Sequence, residues 1–473
     1  MPERQIYLLS PKDLSPETIA VAFAKTSRSP ESFREIAAEL STAAAAQFHE
    51  RWVVGYGHAS VAEHAVLHIA VENISRLAVE CLESNRLASY TEKSTRYQMW
   101  GPEDFYVPAN VAASRHAALY RQTCRDLFAA YQRSLAPVQR LMQAQHPRRE
   151  GESEAKWEGR LRSKYVDNCR FLLPAAALAN VGMTANARVL EGAIRKLLSH
   201  PLEEARAIGR EIKGVAQAET PTLVKYAEAA PYQIETAAAL AARAAPLGVG
   251  RPAGADAVLV DYDPEAEAKF LAACLYRYGG ASLAECRAAA AALNAAEQAA
   301  LVETALGRLD KYDTPLRELE HVTYTFDVVM DQGGYFELKR HRLMTQSPQR
   351  LTAALGYATP RAIVEAGFGS EYRAALEAAV AAYAAVAVDF PEEASYLVPN
   401  ACNRRVLMTL NLRQAFHLIE LRTAPNAHFS VRRTAGQMLA AIRQVHPRLA
   451  RFLRAAGRPE PAAVEAEYFA GVA

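Results

Sequence analysis

Three kinds of short run in this 473-residue chain concentrate side chains that hold anions or polarise carbonyl groups. Arg340-His341-Arg342 sets two guanidinium forks around an imidazole, a group suited to phosphate or to an oxygen gaining negative charge. Ser89, Glu92, Ser94 and Arg96 offer hydroxyls, an acceptor and a bidentate cation in one polar loop. Asn186 and Arg188 share an N-x-R spacing with Asn411 and Arg413. Each run also has a plain reading: solvated helix ends for the charged runs, and turn or helix caps for the asparagines. His58, His64 and His68 have a metal-like spacing, but no HExxH is present and no metal site is expected. Cys81 is expected to be a small buried thiol, not a nucleophile.

The elements that must position these residues occur twice. The stretch 63–97 parallels 320–352, and 172–188 parallels 397–413. Pro174 and Pro399 are 225 residues apart, as are Asn186 and Asn411, whereas Arg86 and Arg342 are 256 apart. The extra length of the first copy falls around 144–164, a charged stretch expected to be an exposed loop or helix end. Val322, Tyr324, Phe326 and Val328 alternate with polar residues at the period of a half-buried strand, and Leu67, Ile69 and Val71 do so more weakly. Ser75 and Asp331 then stand where a helix N-cap belongs, so each copy reads as strand, short helix and polar loop. Arg373–Ala387 and Asn411–Leu421 read as helices. The fold class is α+β: two tandem domains, each a small sheet with several helices, at 1–235 and 258–473, joined by an Ala/Pro/Gly-rich linker at 236–257.

Composition narrows the function. With 54 Lys+Arg against 52 Asp+Glu, the net charge of +2 gives no basic excess for wrapping a phosphate backbone, so no nucleic-acid partner is expected. No run of about 18 apolar residues occurs, nor a signal-like start, so no membrane partner is expected and a cytoplasmic location is. The six cysteines form no CxxC and are read as reduced core residues.

The pattern R-H-R-x-x-S-x-N-E-x-S-x-R, preceded by a Glu-His strand and followed by L-P…N-x-R…R, is the signature of flavin-dependent thymidylate synthases. The chain resembles two such units fused, and neither copy carries the signature whole. In the first, Ser89, Glu92, Ser94, Arg96 and Tyr97 fit, while Ser84 and Asn85 replace the leading Arg-His and Thr91 the Asn. In the second, Arg340, His341 and Arg342 fit, while Thr345, Ser347, Pro348, Arg350 and Thr352 replace the rest. The family Arg before L-P is Arg170 in the first copy and Ser395 in the second; the late Arg is Arg422 in the second and Leu197 in the first.

The resemblance implies one composite site, because the family builds each site between two units. Glu92, Ser94, Arg96 and Arg170 would face Glu337, Arg340 and Arg422 around a dUMP-like nucleotide, with Arg422 and Arg340 catalytic. The reciprocal combination has lost its ligands. The implied cofactor is FAD, contacted by Arg340, His341, Arg342, Asn411, Arg413 and His417 of the second copy and Ser60, Glu92, Asn186 and Arg188 of the first. NADPH and methylenetetrahydrofolate are the implied co-substrates, and a homodimer would supply the family's four units. Glu337 stands where the family has Gln, and a carboxylate beside a bound phosphate repels it unless an arginine or a proton neutralises it. That leaves open a related uridine nucleotide, or a member that binds without turnover.

Overall fold

The computed structural model describes residues 5, 7, 9–26, 29, 31–40, 45, 47, 48, 50, 59–96, 98–250, 257–455 and 457–472. His58, Tyr97 and residues 251–256 of the expected linker lie outside them. Two compact units result, and they do not follow the chain in order. The first comprises Met1–Ser94, Asp104–Ala117 and Ala176–Gly248; the second comprises Thr95–Glu103, Ala118–Ala175 and Val249–Ala473. The repeat boundary read from sequence and this division by contacts are therefore different partitions. They meet only at Gly248/Val249, inside the expected linker. That linker opens within a helix, Pro231–Ala244, none of whose residues is buried.

In the first unit, β1 (Val66–Ser75), β2 (Ala88–Glu92) and β3 (Leu178–Asn186) form an antiparallel sheet with β3 in the centre. Leu67 and Ile69 on β1 and Val181, Met183 and Ala185 on β3 turn to the buried face at the strand period of two. Between Val71 and Ile74 the register shifts, and Asn73 takes a left-handed φ of 57°, a conformation Asn tolerates better than most residues. Ser75 caps the helix Arg76–Glu83 by accepting from the Ala78 N–H at 2.9 Å. The helices Ala187–Leu198 and Glu203–Glu219 pack so closely that a Cβ at Gly209 would stand 2.9 Å from Leu197 Cβ. Ser89 and Glu92 therefore sit on a sheet strand and not on the expected polar loop; pairing with β3 supplies the hydrogen bonds that this polar segment gives no apolar reason to expect.

The second unit is built on β4 (Ala257–Tyr262), β5 (Thr323–Asp331), β6 (Thr345–Pro348) and β8 (Asn403–Asn411), antiparallel in the order β4-β5-β8-β6. A two-stranded ribbon joins β7 (Ala358–Pro360) to β9 (Phe469–Val472). Tyr324, Phe326 and Val328 bury the inner face, with Leu418 and Ile419 of the helix Leu412–Arg422 and Met438 and Ile442 of Phe429–Val445 in the same core. Asp331 caps Gln332–Leu338, accepting from Gly334 N–H at 2.7 Å. Gly334 has to be small: a Cβ there would lie 2.8 Å from Met330 Cε and from Ser430 Cβ.

First-copy segments complete this unit: the helix Ala117–Gln145 from Ala118 onward, the helix Glu154–Cys169 and the 3-10 turn Arg170–Leu172. The 144–164 stretch is thus mostly helix, broken by a turn before the Ser153 cap. The repeated prolines found in the sequence pair with each other, Pro174 bridging Pro399 in antiparallel fashion. Ala175 N–H donates to Val398 O and Asn400 N–H to Leu173 O, both at 2.9 Å. Equivalent residues of the two copies thus exchange backbone hydrogen bonds, as a local two-fold relationship requires. Among the described residues no helix is long and apolar enough to cross a membrane.

Candidate functional site

The second unit brings residues of both copies into one run of alternating charge. Asp167, on the last turn of Glu154–Cys169, precedes Arg170 by three residues, so a helical backbone puts both on one face. Arg170 is 2% exposed; its Nε lies 3.4 Å from Asp167 Oδ1, Nη1 donates to Thr95 Oγ1 at 2.8 Å and Nη2 to Gly333 O at 3.2 Å. Arg96 Nε donates to both Asp167 oxygens at 2.9 Å. Its Nη1 reaches Asn426 O at 2.9 Å and Glu337 Oε1 at 3.2 Å. Glu337 Oε2 in turn accepts from Arg422 Nη1 at 3.1 Å and from the His428 N–H at 3.4 Å. Arg422 Nε ends the run on His341 Nε2 at 2.8 Å.

Burial and pairing compete along this run. Burial pushes the Asp167 carboxyl up, with Arg170 and Arg96 pulling the other way without fully cancelling it. Burial pulls Arg422 down, Glu337 opposes it, and the charge of Arg340 adds to the lowering. Arg340 itself is exposed. Burial, then Arg422 and His417, hold His341 down to about 3, so it is neutral at neutral pH. A neutral imidazole that accepts at Nε2 carries its proton on Nδ1. The Gln414 amide, 3.2 Å from Nδ1, must then present its oxygen there.

The structure thus brings together Arg96, Arg170, Glu337, His341 and Arg422, with Arg340 acting on Arg422. His417 packs edge-on against His341 with ring centres 5.5 Å apart. Arg342 follows the helix end, its N–H donating to Arg340 O at 3.0 Å. Asn411 caps Leu412–Arg422 by accepting from Gln414 N–H at 2.8 Å. Arg413 is held by Pro315 O at 3.0 Å and Glu320 at 2.5 Å. Asp167, Gln414, Asn426 and His428 were not among the sequence candidates. Only Asp167 had a legible signal, its helical spacing to Arg170.

The remaining candidates lie in the first unit. Glu92 is committed to Arg76 at 3.3 Å, with both side chains at most 3% exposed. Ser94 closes that unit's first segment. Ser60 lies exposed on the 3-10 turn Ala59–His64, and Arg188 pairs with Glu63. Asn186 repeats the capping role of Asn411, accepting from Val189 N–H at 2.9 Å, and Leu197 is buried. Cys81 Sγ is 3.2 Å from His200 Nε2. His200 Nδ1 accepts from Leu202 N–H, which places the ring proton on Nε2, facing the sulfur. His200 is thus a donor to this thiol and not its base. His64 packs against Phe23 and His68 bonds Thr184. Among the described residues no group of three or more His, Cys, Asp or Glu side chains is placed to hold a metal ion.

The chain is thus an α+β protein with two repeated copies whose arginines alternate with buried carboxylates at one locus. Residues 9–222 and 258–448 each match the model of Thy1, the thymidylate synthase complementing protein, and the chain belongs to this flavin-dependent thymidylate synthase family. It is 31% identical over 433 residues to the UPF0159 protein of Chlamydia muridarum, covering 88% of this chain and 82% of that one. It is 28% identical over 440 residues to UPF0159 protein Ta1429 of Thermoplasma acidophilum, covering 86% and 88%. The flavin-dependent thymidylate synthase of Clostridium tetani is 25% identical over 215 residues, 45% of this chain and 82% of that one. The crystal structure of the flavin dependent thymidylate synthase ThyX from Helicobacter pylori, complexed with FAD and dUMP, overlays 42% of this chain and 99% of its own at 17% identity. Its TM-score is 0.31, too low to argue from.

Proposed function

We propose that this protein binds FAD and dUMP and carries out reductive methylation of dUMP to dTMP, with methylenetetrahydrofolate as carbon donor and NADPH as reductant. Family membership and one observation support the reading: Arg96 and Arg170 of the first copy and Arg422 of the second converge on shared carboxylates within one compact unit. In this reading Arg96 and Arg170 take the phosphate dianion through charge-assisted hydrogen bonds. Arg422, its Nε fixed by neutral His341, and Arg340 face the pyrimidine and stabilise negative charge developing on it without a covalent nucleophile. Glu337 lets go of Arg422 when a ligand oxygen takes its place.

The chemistry of the donor set fits a flavin dinucleotide. Arg340 is exposed, Arg342 is half-buried beside it, and between them stands an imidazole that stays uncharged. Those three residues, His417 and the side-chain amide of Asn411 would hold FAD, and Arg413 would join them on leaving Glu320. Bound FAD supplies hydride transfer. The working assembly is a cytoplasmic homodimer, and a strictly monomeric protein at micromolar concentration would overturn that part.

Glu337 favours a second reading, a flavin- and nucleotide-binding member without turnover or one acting on another uridine nucleotide, because its carboxylate holds both Arg96 and Arg422. One assay separates them. Purified protein that oxidises NADPH only with dUMP present, and forms dTMP when methylenetetrahydrofolate is added, is the enzyme. Bound flavin with neither activity supports the second reading.

A further inference from the structure

A cavity of about 400 Å³ lies within the second unit, among the helices Ala117–Gln145, Glu154–Cys169, Arg361–Glu365 and Phe429–Val445 and the C-terminal helix Pro461–Tyr468. It shares Arg96 and Asp167 with the site above, but Arg170, Glu337, Arg340 and Arg422 do not line it.

Its charges are out of balance in a way the neighbouring site is not. Lys164, Arg361 and Arg432 line it, and among the described residues none of the three makes an ion pair with a carboxylate. Arg432 is 8% exposed; among the described residues its Nη1 reaches only the Tyr468 hydroxyl, at 3.3 Å, its guanidinium lies 5.2 Å from the centre of the Tyr468 ring, and its Nε is buried without a hydrogen-bond partner. Arg361 Nη2 donates to Phe469 O at 2.9 Å, and its Nε is likewise buried and unpartnered. Among the described residues the half-buried Lys164 ammonium has no hydrogen-bond partner, and burial followed by the charge of Arg160 pulls it down.

The carboxylates at the cavity offset this only in part: the charges of Glu467 and Asp167 raise Lys164, but less than burial and Arg160 lower it. Asp167 is committed to Arg96 and Arg170, Glu365 is exposed and accepts from Gln145 at 3.2 Å, and Glu467 is exposed. Cations withdrawn from water without a counter-ion are costly, and an anionic ligand removes that cost. The volume falls in the range of small-molecule pockets, about 300–1,000 Å³. One wall is apolar, with Tyr468 stacked on Phe429 at 5.1 Å and 6° between planes. Tyr468 and Glu467 lie beyond residue 448, where the family match ends.

We infer that this cavity binds a phosphate monoester, its dianion held by Lys164, Arg361 and Arg432 and its organic body lying against Tyr468. Two arginine forks and a point-charge ammonium match a phosphate better than a single carboxylate. The inference does not depend on the reading of the neighbouring site.

The test is calorimetric titration of the full-length protein with inorganic phosphate and with phenyl phosphate, in a buffer free of other multivalent anions. Saturable binding is expected, tighter for phenyl phosphate because its ring meets Tyr468. K164Q and R361Q, with unchanged circular dichroism, should each weaken it by about tenfold, the loss of one charge-assisted contact, while R170Q, which removes a phosphate contact of the proposed nucleotide site and keeps the fold by the same criterion, leaves it unaltered. Absence of saturable binding to the wild type overturns the inference. So does binding that R170Q removes and that K164Q and R361Q leave intact.

Discussion

Arg422 Nε stands 2.8 Å from His341 Nε2, so an arginine of one helix is aimed by a neutral imidazole at the end of another. The imidazole can serve as acceptor because burial and the neighbouring Arg422 and His417 hold it down to about 3. A protonated ring would turn two donors against each other. This pairing joins the R-H-R run to the late arginine, residues more than seventy positions apart in the chain.

Replacing His341 with Leu leaves Arg422 Nε without its acceptor. The expected cost is about 1–3 kcal/mol for one buried unsatisfied donor, read as a lower urea midpoint. If Arg422 acts on the pyrimidine, kcat falls as well. His341→Gln carries a carbonyl oxygen within reach of the same donor and should recover most of both losses, which a purely space-filling role would not predict.

Acid should loosen this fold before any carboxylate is reached. The unfolded chain protonates its histidines near the ordinary value of 6.5, whereas in the folded chain His341 is held to about 3 and His200 to about 4, both mainly by burial. Between those limits the unfolded state binds more protons. Stability is therefore complete above 6.5 and is lost as pH falls toward the folded values, with a slope of up to about 1.4 kcal/mol per pH unit for each ring. Asp167 and Asp331 are raised by burial, so above 3.8 the folded state binds their protons more readily and they partly offset the loss. Urea midpoints measured from pH 7 to 5 should decline, and His341→Gln should flatten the slope. An unchanged slope in that variant removes His341 as a cause.

Glu337 holds Arg96 at 3.2 Å and Arg422 at 3.1 Å, so an anionic ligand has to compete with a carboxylate already in place. Glu337→Gln keeps the shape and removes the competing charge. Under the proposed function, dUMP should bind about tenfold more tightly, equivalent to about 1.4 kcal/mol, and deoxyuridine, which keeps the pyrimidine facing Arg422 but lacks the phosphate, should gain less. Weaker dUMP binding in E337Q would mean that the carboxylate helps to assemble the nucleotide site and does not guard it.

Much of this arrangement was legible in the chain, and what was not has physical causes. The alternation at Val322–Val328 becomes β5, Ser75 and Asp331 cap the helices that follow them, and the 225-residue offset reappears as Pro174 paired with Pro399. These signals are local or repeated. Asp167 shows only its helical spacing to Arg170 in the sequence, and its central place appears when Arg96 arrives from 71 residues away. Asn186 and Asn411 show the opposite difficulty: one amide can cap a helix and face a ligand, and spacing does not separate the two uses. The interleaving of 95–103 and 118–175 with the second copy depends on where the first copy's long helices pack, a tertiary matter that repeat alignment cannot report.

The asymmetry between copies gives a paired test. Arg422→Ala should abolish turnover while leaving a folded protein. Leu197, at the equivalent place in the first copy, is buried against Gly209. Leu197→Ala should cost about 2–5 kcal/mol of stability as a core truncation, with kcat per folded molecule unchanged. Equal loss of kcat from both variants, each folded by circular dichroism, would count against a single composite site.

Asp167 is the strictest case because it is shared. Its carboxylate accepts from Arg96 at 2.9 Å through both oxygens and faces Arg170 at 3.4 Å, with Arg170 only 2% exposed. Asp167→Asn removes the one negative charge between two arginines and turns a donor toward them. Breaking a buried pair from one side costs about 3–5 kcal/mol, because the remaining charge stays buried; here two guanidinium groups are affected. A bound phosphate restores the missing negative charge. Asp167→Asn should therefore lower Tm sharply in phosphate-free buffer and regain a large part of it with dUMP or millimolar phosphate, more than the wild type gains. If added anion stabilises both proteins equally, Arg96 and Arg170 are structural partners of Asp167 and do not present their charge to a ligand.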